Sequence, residues 1–304
     1  QSSKIEGTQT NMEEALLAKE DVPLDKRNDW MEVHNYINAM NEAIKMLEEL
    51  PFSSRLIRNV HKVLLSGVRG EHKQPGEFRK SQNWIGGASI NDAIFVPPVH
   101  TSIPDLMNDI DEFVHNDKLL IPELLKIALI HYQFETIHPF LDGNGRTGRL
   151  MITLYLVSKG ILKRPILYLS DYLEKHRNSY YTNLTQARTE NDITSWFRFF
   201  LTGVIETADN GVKTFENILC LQKEYEEKIK SLGSRSANAL KVVTELYKRP
   251  IASANWIAEI ADISTASAYK LIRNLEEVGI LSEVTGSKRG RIYILKKYVD
   301  IFNS

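Results

Sequence analysis

The sequence predicts a mainly α-helical protein with a smaller helix-turn-helix domain at its C-terminal end. Apolar residues recur at three- and four-residue spacing through most of the first 230 positions, which is typical of amphipathic helices around a core. A run of small residues at 231–236 then interrupts the pattern and marks a domain boundary. After this boundary, three predicted helices, the last two closely spaced, precede two short predicted strands. The expected fold is therefore a helical core followed by a compact second domain.

The predicted elements follow from this spacing. Helices are expected at 29–49, 53–66, 103–116, 122–134, 146–159, 169–189 and 193–208, with a connecting helix at 211–232. After the boundary, helices are expected at 237–247, 253–261 and 264–278, with Ser253 and Ser264 as N-caps. The stretch 90–98 places Asn91 and Asp92 between apolar or β-branched residues, which predicts a short β-hairpin.

Composition limits the class of protein. The 304 residues allow about two domains, since a domain usually takes ~100–200 residues. The only cysteine, Cys220, excludes an internal disulfide and predicts a reducing, cytoplasmic setting; we expect its side chain in the core. No apolar run reaches the ~20 residues of a membrane span, and no signal-peptide pattern opens the chain. The formal net charge of −1 predicts no overall attraction for nucleic acid.

The most informative segment is 138–149, which reads His-Pro-Phe-Leu-Asp-Gly-Asn-Gly-Arg-Thr-Gly-Arg. Gly143 and Gly145 allow successive backbone N–H groups to converge on an anion, where a side chain would obstruct them. The apolar helical pattern that follows predicts that this turn opens onto a helix N-terminus, whose dipole also attracts phosphate.

The side chains of this segment suit work on a polyphosphate. Arg146 and Arg149 are three residues apart and share a helix face, and their forked guanidiniums match phosphate oxygens. Asp142 can ligate Mg²⁺, which prefers one or two carboxylates together with phosphate oxygens. His138 can take a proton from an attacking hydroxyl. Positioning and charge neutralisation of this kind are what an in-line attack at phosphorus requires.

Segment 138–149 resembles the signature of the Fic family, His-x-Phe-x-Asp/Glu-Gly-Asn-Gly-Arg-x-x-Arg, with every defining position filled. Fic proteins have helical cores and mostly transfer AMP from ATP to a protein hydroxyl, a reaction called AMPylation. The resemblance implies that His138 is the general base, that Asp142 is the Mg²⁺ ligand and that Phe140 is a core anchor. It implies phosphate contacts for a set of residues that follow, namely Gly143, Asn144, Gly145, Arg146, Thr147, Gly148 and Arg149.

Within that set, the resemblance gives the α-phosphate to Asn144 and the loop amides, and the distal phosphates to Arg146 and Arg149. Doc-type relatives, which phosphorylate their target, have lysine at the position of Gly145. The glycine therefore favours transfer of a nucleotidyl group over transfer of a phosphoryl group.

Two further contacts are implied by the same resemblance. Tyr180 lies where family members place a tyrosine near the adenosine; an interior aromatic residue is the alternative. Segment 75–86 resembles the stretch ahead of the family's active-site flap, and the predicted hairpin at 90–98 follows it. Ile94 and Phe95 of this hairpin would then pair with an extended target segment by strand addition. The alternative is an ordinary surface hairpin.

The first residues of the chain carry an inhibitory pattern. Ser2-x-x-x-Glu6-Gly7 resembles the autoinhibitory motif of Fic proteins whose inhibitory helix precedes the catalytic core. The resemblance implies that Glu6 pairs with Arg149, so that the γ-phosphate loses its clamp. The alternative is a solvated chain end. Whether Glu6 also activates water to remove AMP from a target stays open.

The C-terminal region has helix-turn-helix spacing at 257–272, followed by a predicted hairpin at 283–294. It resembles a winged helix-turn-helix domain. The tip of the predicted wing is basic and holds Lys288, Arg289 and Arg291. Residues 237–304 contain ten Lys or Arg and seven Asp or Glu, a formal net charge of +3. Lys270 and Arg273 could contact DNA phosphates, but the small charge fits protein docking equally well.

The expected organisation is an inhibitory segment at 1–20, a Fic catalytic domain at 21–210, a connecting helix and linker at 211–236 and a winged helix-turn-helix domain at 237–304. The expected function is a protein adenylyltransferase that uses ATP and Mg²⁺ and modifies a Ser, Thr or Tyr of a protein target, with self-modification and homodimer formation left open. One alternative is a DNA-binding regulator with a nucleotide-sensing Fic core. Another is a Fic enzyme that uses a different nucleoside triphosphate or a phosphocholine carrier.

Overall fold

The computed structural model describes residues 10–286 and 290–302. These residues form two compact units: one contains Leu24–Asp209, and the other contains Asn11–Pro23 together with the chain from Asn210 onward. The predicted inhibitory residues Ser2 and Glu6 lie outside the described residues, as do Lys288 and Arg289 of the predicted wing.

The chain is mainly helical, as predicted. The helices of the first part of the chain are α1 (Met12–Leu16), α2 (Arg27–Met46), α3 (Ser54–Leu64), α4 (Ile103–His115), α5 (Glu123–Ile137), α6 (Asn144–Ser158), α7 (Leu169–Lys175), α8 (Arg177–Thr189) and α9 (Ile193–Lys230). They are followed by α10 (Ser236–Leu246), β1 (Ile251–Ser253), α11 (Ala254–Ala261), α12 (Thr265–Glu277), β2 (Ser282–Glu283), β3 (Ile292–Ile294) and α13 (Lys296–Ile301).

The core of the first unit is built around α5 and α6, which are buried along most of their length. Gly148 lets the two helices approach closely, since a Cβ atom there would lie 2.4 Å from Glu135 Oε1. The buried indole of Trp196, on α9, donates to the carbonyl of Ala128 at 2.9 Å and so fixes a third helix against α5. This packing holds the end of α5 and the start of α6 in fixed positions.

The predicted hairpin at 90–98 is much smaller than expected. Among the described residues of this segment, β-pairing is limited to a single antiparallel bridge between Ile85 and Phe95, and Ile90–Asp92 form a 3-10 turn. The Asp92 carboxylate accepts hydrogen bonds from the amides of Ala88 and Ser89, which folds the tip into a compact turn. Because these amides bond to a side chain, they are not available to a ladder. We call residues 81–98 the flap.

The long helix α9 corrects the prediction of two separate helices at 193–208 and 211–232. Gly211 lies inside α9, and no atom approaches the position its Cβ would occupy. The cost of a helical glycine, about 1 kcal/mol, is small against the contacts of a 38-residue amphipathic helix. Cys220 is exposed on this helix, so its expected burial is wrong.

The second unit contains a three-stranded antiparallel sheet with strand order β1-β3-β2. Strand β1 was not predicted, because three residues are too few to give a periodic signal. Ser253 and Ser264 cap α11 and α12 through their side chains, as predicted. The start of the chain also contributes, since Leu16 packs against the cluster of Ile251, Ile294 and Val299. Residues 11–20 of the expected inhibitory segment thus belong to this unit.

Within the described ranges, no helix is both long enough and apolar enough to cross a bilayer.

Candidate active site

Segment 138–149 connects α5 to α6, and both helix ends have left-handed backbone at the junction. His138 ends α5 with φ 49°, and Gly143 caps α6 with φ 75°. For a residue other than glycine this conformation costs about 1–2 kcal/mol, so the surrounding structure must hold His138 in place. The predicted opening of the turn onto a helix N-terminus is confirmed, because α6 begins at Asn144.

The side chain of Asn144 bridges the turn through two hydrogen bonds to the backbone of Phe140. Its Oδ1 accepts from the amide of Phe140 and its Nδ2 donates to the carbonyl of Phe140, each at 2.8 Å. Phe140 is fully buried, as expected for an anchor. The side chain of Asn144 therefore shapes the loop in this structure, and its implied contact with the α-phosphate stays a prediction.

His61, on α3, holds the same loop and was missed by the sequence reasoning. Its Nδ1 accepts from the amide of Gly76 at 2.8 Å, so Nε2 carries the proton and donates to the carbonyl of Asp142 at 2.9 Å. The ring stacks on Phe140 with centroids 3.7 Å apart and an interplanar angle of 6°. Burial lowers the pKa of His61 to about 4, so the ring is neutral at pH 7 and keeps both bonds.

Arg79 is the second residue that was missed, and it explains how His138 keeps its unusual backbone. The buried guanidinium donates through Nε to the carbonyl of His138 at 3.0 Å and through Nη2 to that of Pro98 at 2.5 Å. Its Nη1 donates to the carbonyl of Ser81 at 3.0 Å. One side chain thus joins the C-terminal end of α5 to both ends of the flap. It lies within segment 75–86, which resembles the stretch ahead of the family's flap, but the sequence reasoning gave it no role.

The imidazole of His138 is prepared to accept a proton. Burial lowers its pKa to about 4, and the positive charges of Arg188 and Arg79 act in the same direction. The backbone of Glu135 and the charge of Asp142 oppose this shift without cancelling it. The ring is therefore neutral at pH 7, which is the protonation state of a general base.

Arg146 and Arg149 both lie in the first two turns of α6, and both are buried. Nη1 of Arg146 lies 3.7 Å from Oε2 of Glu32, on α2. Glu32 is also buried, and its other oxygen accepts from Nε of Arg69 at 3.0 Å. The structure thus places both of these arginines near the start of α6 and adds a carboxylate partner for Arg146 that the sequence did not indicate.

The carboxylate of Asp142 is held in place at the turn. Its Oδ1 accepts from the amide of Gly143 at 2.7 Å, and Oδ2 lies so close to Gly70 that a Cβ there would be 2.6 Å away. In the described residues, no three His, Cys, Asp or Glu side chains gather into a metal site. One positioned carboxylate at a glycine turn that opens onto a helix N-terminus fits Mg²⁺, which takes its remaining ligands from phosphates and water.

Thr147 and Tyr180 differ in how well they fit the expected nucleotide contacts. The hydroxyl of Thr147 is fully buried at the start of α6 and has no hydrogen-bond partner among the described residues, and its implied phosphate contact stays a prediction. Tyr180 is buried, and its hydroxyl bonds to Nε2 of His131 at 2.9 Å. This position favours the alternative stated for Tyr180, an interior aromatic residue, over a contact with adenosine. Its neighbour Tyr181 is exposed.

The two flap residues point to opposite sides. The side chain of Ile94 is 75% exposed, as expected for a residue that meets a partner. Phe95 is half-buried, and its ring lies under the guanidinium of Arg188, 4.2 Å from the guanidinium carbon. Arg188 is a third residue that the sequence alone did not place.

Comparison with known proteins agrees with this geometry. Residues 51–156 match the Fic/DOC family, and residues 1–45 match the Fic/DOC family N-terminal region. The protein adenylyltransferase Fic of Aedes aegypti is 29% identical over 204 residues, or 64% of this chain, and that of Drosophila willistoni is 27% identical over 72% of it. The chain spans only 36% and 41% of the length of these two relatives.

Solved structures show the same fold. A Fic family protein from Desulfovibrio desulfuricans superposes with a TM-score of 0.61 at 20% identity, covering 97% of this chain and 83% of that one. Fic-1 of Caenorhabditis elegans (residues 134–508) superposes with a TM-score of 0.53 at 18% identity, covering 71% of this chain and 61% of that one. Residues 51–156 of this chain therefore match the Fic/DOC family, and the chain has the helical fold of the solved Fic proteins.

Proposed function

We propose that the chain is a protein adenylyltransferase, which transfers AMP from ATP to a hydroxyl group of a protein. The observation that carries the proposal is the position of His138: a neutral imidazole at the end of α5, directly before a turn that opens onto the N-terminus of α6. That helix start supplies backbone N–H groups, two buried arginines and the unpartnered hydroxyl of Thr147. The adenylyltransferases similar to this chain support the same reaction.

In this reaction the acceptor oxygen forms a bond to the α-phosphorus while the bond from that phosphorus to pyrophosphate breaks. The imidazole of His138, which is neutral at pH 7 because burial lowers its pKa to about 4, takes the acceptor's proton. Arg146 and Arg149 hold the distal phosphates and neutralise charge on the leaving group. Asp142 would hold a magnesium ion, which when bound neutralises further phosphate charge.

Gly145 supports AMP as the transferred group. It lies in the first turn of α6, where Doc-type kinases carry lysine. A lysine would add a charged side chain at the mouth of the turn, whereas glycine leaves the backbone N–H groups accessible to the α-phosphate. ATP as donor follows the majority of the family, since the turn recognises phosphates and not a base.

We further propose that Glu6 inhibits the enzyme by pairing with Arg149. The pattern Ser2-x-x-x-Glu6-Gly7 supports this proposal, as does the match of residues 1–45 to the N-terminal region of the family. A carboxylate on Arg149 would occupy the group that otherwise clamps the γ-phosphate. The same carboxylate beside the α-phosphate would suit activation of water, so removal of AMP from a target is the second activity to measure.

The test is transfer of label from ATP to protein in the presence of Mg²⁺. Four proteins are compared: wild type, Glu6→Gly, and Glu6→Gly combined with either His138→Ala or His72→Ala. His72 is exposed and serves as the matched control. We expect α-phosphate label on protein in Glu6→Gly, little in wild type, none with His138→Ala and full labelling with His72→Ala.

Label from the γ-phosphate must stay in solution. Its appearance on protein would show transfer of a phosphoryl group and would contradict the proposed transfer of AMP. If Glu6→Gly transfers nothing from ATP, even with cell lysate as a source of target, adenylyl transfer from ATP is rejected. Strong labelling by wild type, equal to that of Glu6→Gly, would instead reject the inhibitory role of Glu6.

A further inference from the structure

Hydrogen bonds hold the flap near its base, where the Nδ2 group of Asn83 also donates to the carbonyl of Phe140 at 3.1 Å. The base is held by Arg79, whose guanidinium donates to the carbonyls of Ser81 and Pro98. Further along the flap, Ile85 and Phe95 form the single bridge, with N–H···O distances of 2.9 and 3.1 Å. One isolated bridge is weak pairing, so the far part of the flap depends on its side-chain contacts.

Arg188, on α8, supplies such a contact. Its guanidinium carbon lies 4.2 Å from the centroid of the Phe95 ring, well inside the ~6 Å range of cation–π attraction. Its Nε–H donates to Oγ1 of Thr136 at 3.1 Å. The hydroxyl of Thr136 in turn donates to the carbonyl of Tyr132 at 2.8 Å, which fixes the acceptor that Arg188 uses. One side chain therefore ties the flap to the last turn of α5.

The place where Arg188 attaches matters because Thr136 precedes His138 by only two residues. Within the described part of the chain, Arg188 has no carboxylate within ion-pair distance. The guanidinium is half-buried; burial lowers its pKa, and the charge of Glu135, on α5, opposes this shift. Partial burial of an arginine without a direct ion pair costs stability, so the contacts that it makes need another explanation.

We propose that Arg188 is a positioning residue: by holding Phe95, it sets the distance between the flap and His138 and so places the acceptor hydroxyl for proton transfer. This inference rests on the proposed adenylyl transfer. If the flap shifts, water still reaches the α-phosphorus, whereas a protein hydroxyl loses its alignment. Arg188 acts through Phe95 and therefore contributes to the choice between protein and water as acceptor.

The experiment uses the full chain with Glu6→Gly as parent and adds Arg188→Gln, Arg188→Lys or Phe95→Leu. Arg177→Gln is the matched control, since Arg177 lies on the same helix and also covers an aromatic ring, that of Tyr181, at 5.8 Å. Three quantities are measured: label on protein relative to free AMP released, hydrogen exchange at the amides of Ile85 and Phe95, and binding of a non-hydrolysable ATP analogue.

We expect Arg188→Gln to lower the ratio of protein label to free AMP about tenfold and to speed exchange at the two flap amides. Arg188→Lys keeps the charge but loses the flat stack and the Nε–H bond, so it should show a smaller change in the same direction. Phe95→Leu combined with Arg188→Gln should be no worse than either alone, because both remove the same contact. Arg177→Gln should match the parent.

Three results would overturn the inference. Unchanged exchange at Ile85 and Phe95 would mean that Arg188 does not hold the flap. An unchanged ratio in an active Arg188→Gln protein would mean that the flap position does not select the acceptor. A loss of analogue binding as large as the loss of transfer would make Arg188 a nucleotide-binding residue. If the Glu6→Gly parent itself releases no AMP and labels no protein, the proposed function fails, and hydrogen exchange alone decides whether Arg188 holds the flap.

Discussion

His61 and Asp142 lie 81 residues apart in sequence and are joined by a hydrogen bond of 2.9 Å from the imidazole Nε2–H to the backbone carbonyl. Because the amide of Gly76 occupies Nδ1, the tautomer of His61 is determined by its surroundings. The same ring covers Phe140. One side chain thus fixes the backbone of the residue that would hold magnesium and the anchor of the loop.

The first prediction concerns this residue. His61→Leu leaves the buried amide of Gly76 and carbonyl of Asp142 without partners, which should reduce the free energy of unfolding by about 2–4 kcal/mol. His61→Gln can keep one or both bonds and should cost less. Urea denaturation measures the free energy of unfolding, and binding of an ATP analogue with Mg²⁺ reports whether the loop keeps its conformation. His115→Leu is the control: it removes one bond, to Phe52, and should leave analogue binding unchanged.

The second prediction concerns Glu32. Its carboxylate and the guanidinium of Arg146 are both buried, so Glu32→Gln leaves a buried charge with a weaker partner. We expect a loss of about 3 kcal/mol in the nucleotide-free protein. An ATP analogue should recover part of this loss, since a phosphate can replace the carboxylate. Glu77→Gln breaks an exposed pair with Arg58 and should cost less than about 1 kcal/mol.

The comparison of analogue-bound and free protein tests the second prediction most directly. Denaturation midpoints are measured with and without the analogue, for wild type and for Glu32→Gln. If the analogue raises the denaturation midpoint more in Glu32→Gln than in wild type, this supports a phosphate site at Arg146. An equal rise in both proteins would show that the nucleotide does not reach Arg146.

The third prediction is the pH dependence of stability. The pKa values of His61, His131 and His138 are lowered to about 4, 3 and 4, chiefly by burial, against about 6.5 in an unfolded chain. Between these values the unfolded state binds protons that the folded state does not. The stabilisation is therefore complete above pH 6.5 and is lost as pH falls towards 4, by roughly 1 kcal/mol per histidine and pH unit.

Urea denaturation at pH 7, 6 and 5 checks this sign and size. For the three histidines together the free energy of unfolding should fall by about 3 kcal/mol between pH 6 and pH 5. His61→Gln should remove about one third of the slope, whereas His72→Gln, at an exposed position, should leave it unchanged. A stability that is constant from pH 7 to pH 5 would contradict the burial of these rings.

The sequence predicted the features that depend on local patterns. The α-helical class, the start of α6 after the glycine turn and the caps Ser253 and Ser264 all follow from spacing and turn chemistry, and the structure has them. Arg79 and Arg188 could not be found in this way. Arg79 lies in a segment that resembles the family's, but its role and that of Arg188 depend on contacts with segments distant in sequence, which local patterns do not show.

Other expectations failed or remain predictions for physical reasons. The hairpin at 90–98 shrank to one bridge because the Asp92 carboxylate captures the amides of the tip. Tyr180 lies in the interior, where its hydroxyl has a hydrogen-bond partner in His131, on another helix. DNA or protein contact through residues 237–304, a winged-helix identity for that region and homodimer formation stay predictions, since they depend on surfaces and partners rather than on internal packing.

The last prediction uses two helical glycines with opposite surroundings. A Cβ on Gly148 would lie 2.4 Å from Glu135 Oε1 and 3.2 Å from the ring of Phe134, so Gly148→Ala must displace the buried Glu135 carboxylate and strain the contact of α6 with α5. We expect a loss of about 1–3 kcal/mol in the free energy of unfolding. Because α6 carries Arg146 and Arg149, binding of an ATP analogue should weaken as well.

Gly211→Ala is the matched control. Gly211 is also helical, and nothing lies within 4 Å of the position its Cβ would take. Alanine there should raise the free energy of unfolding by about 0.5–1 kcal/mol, since it favours the helix and adds no clash. Opposite signs for the two variants, measured by urea denaturation, would support close contact of α5 and α6 at Gly148. If Gly148→Ala were stabilising too, the glycine would be unnecessary for packing, and another reason for its place beside the phosphate site would be needed.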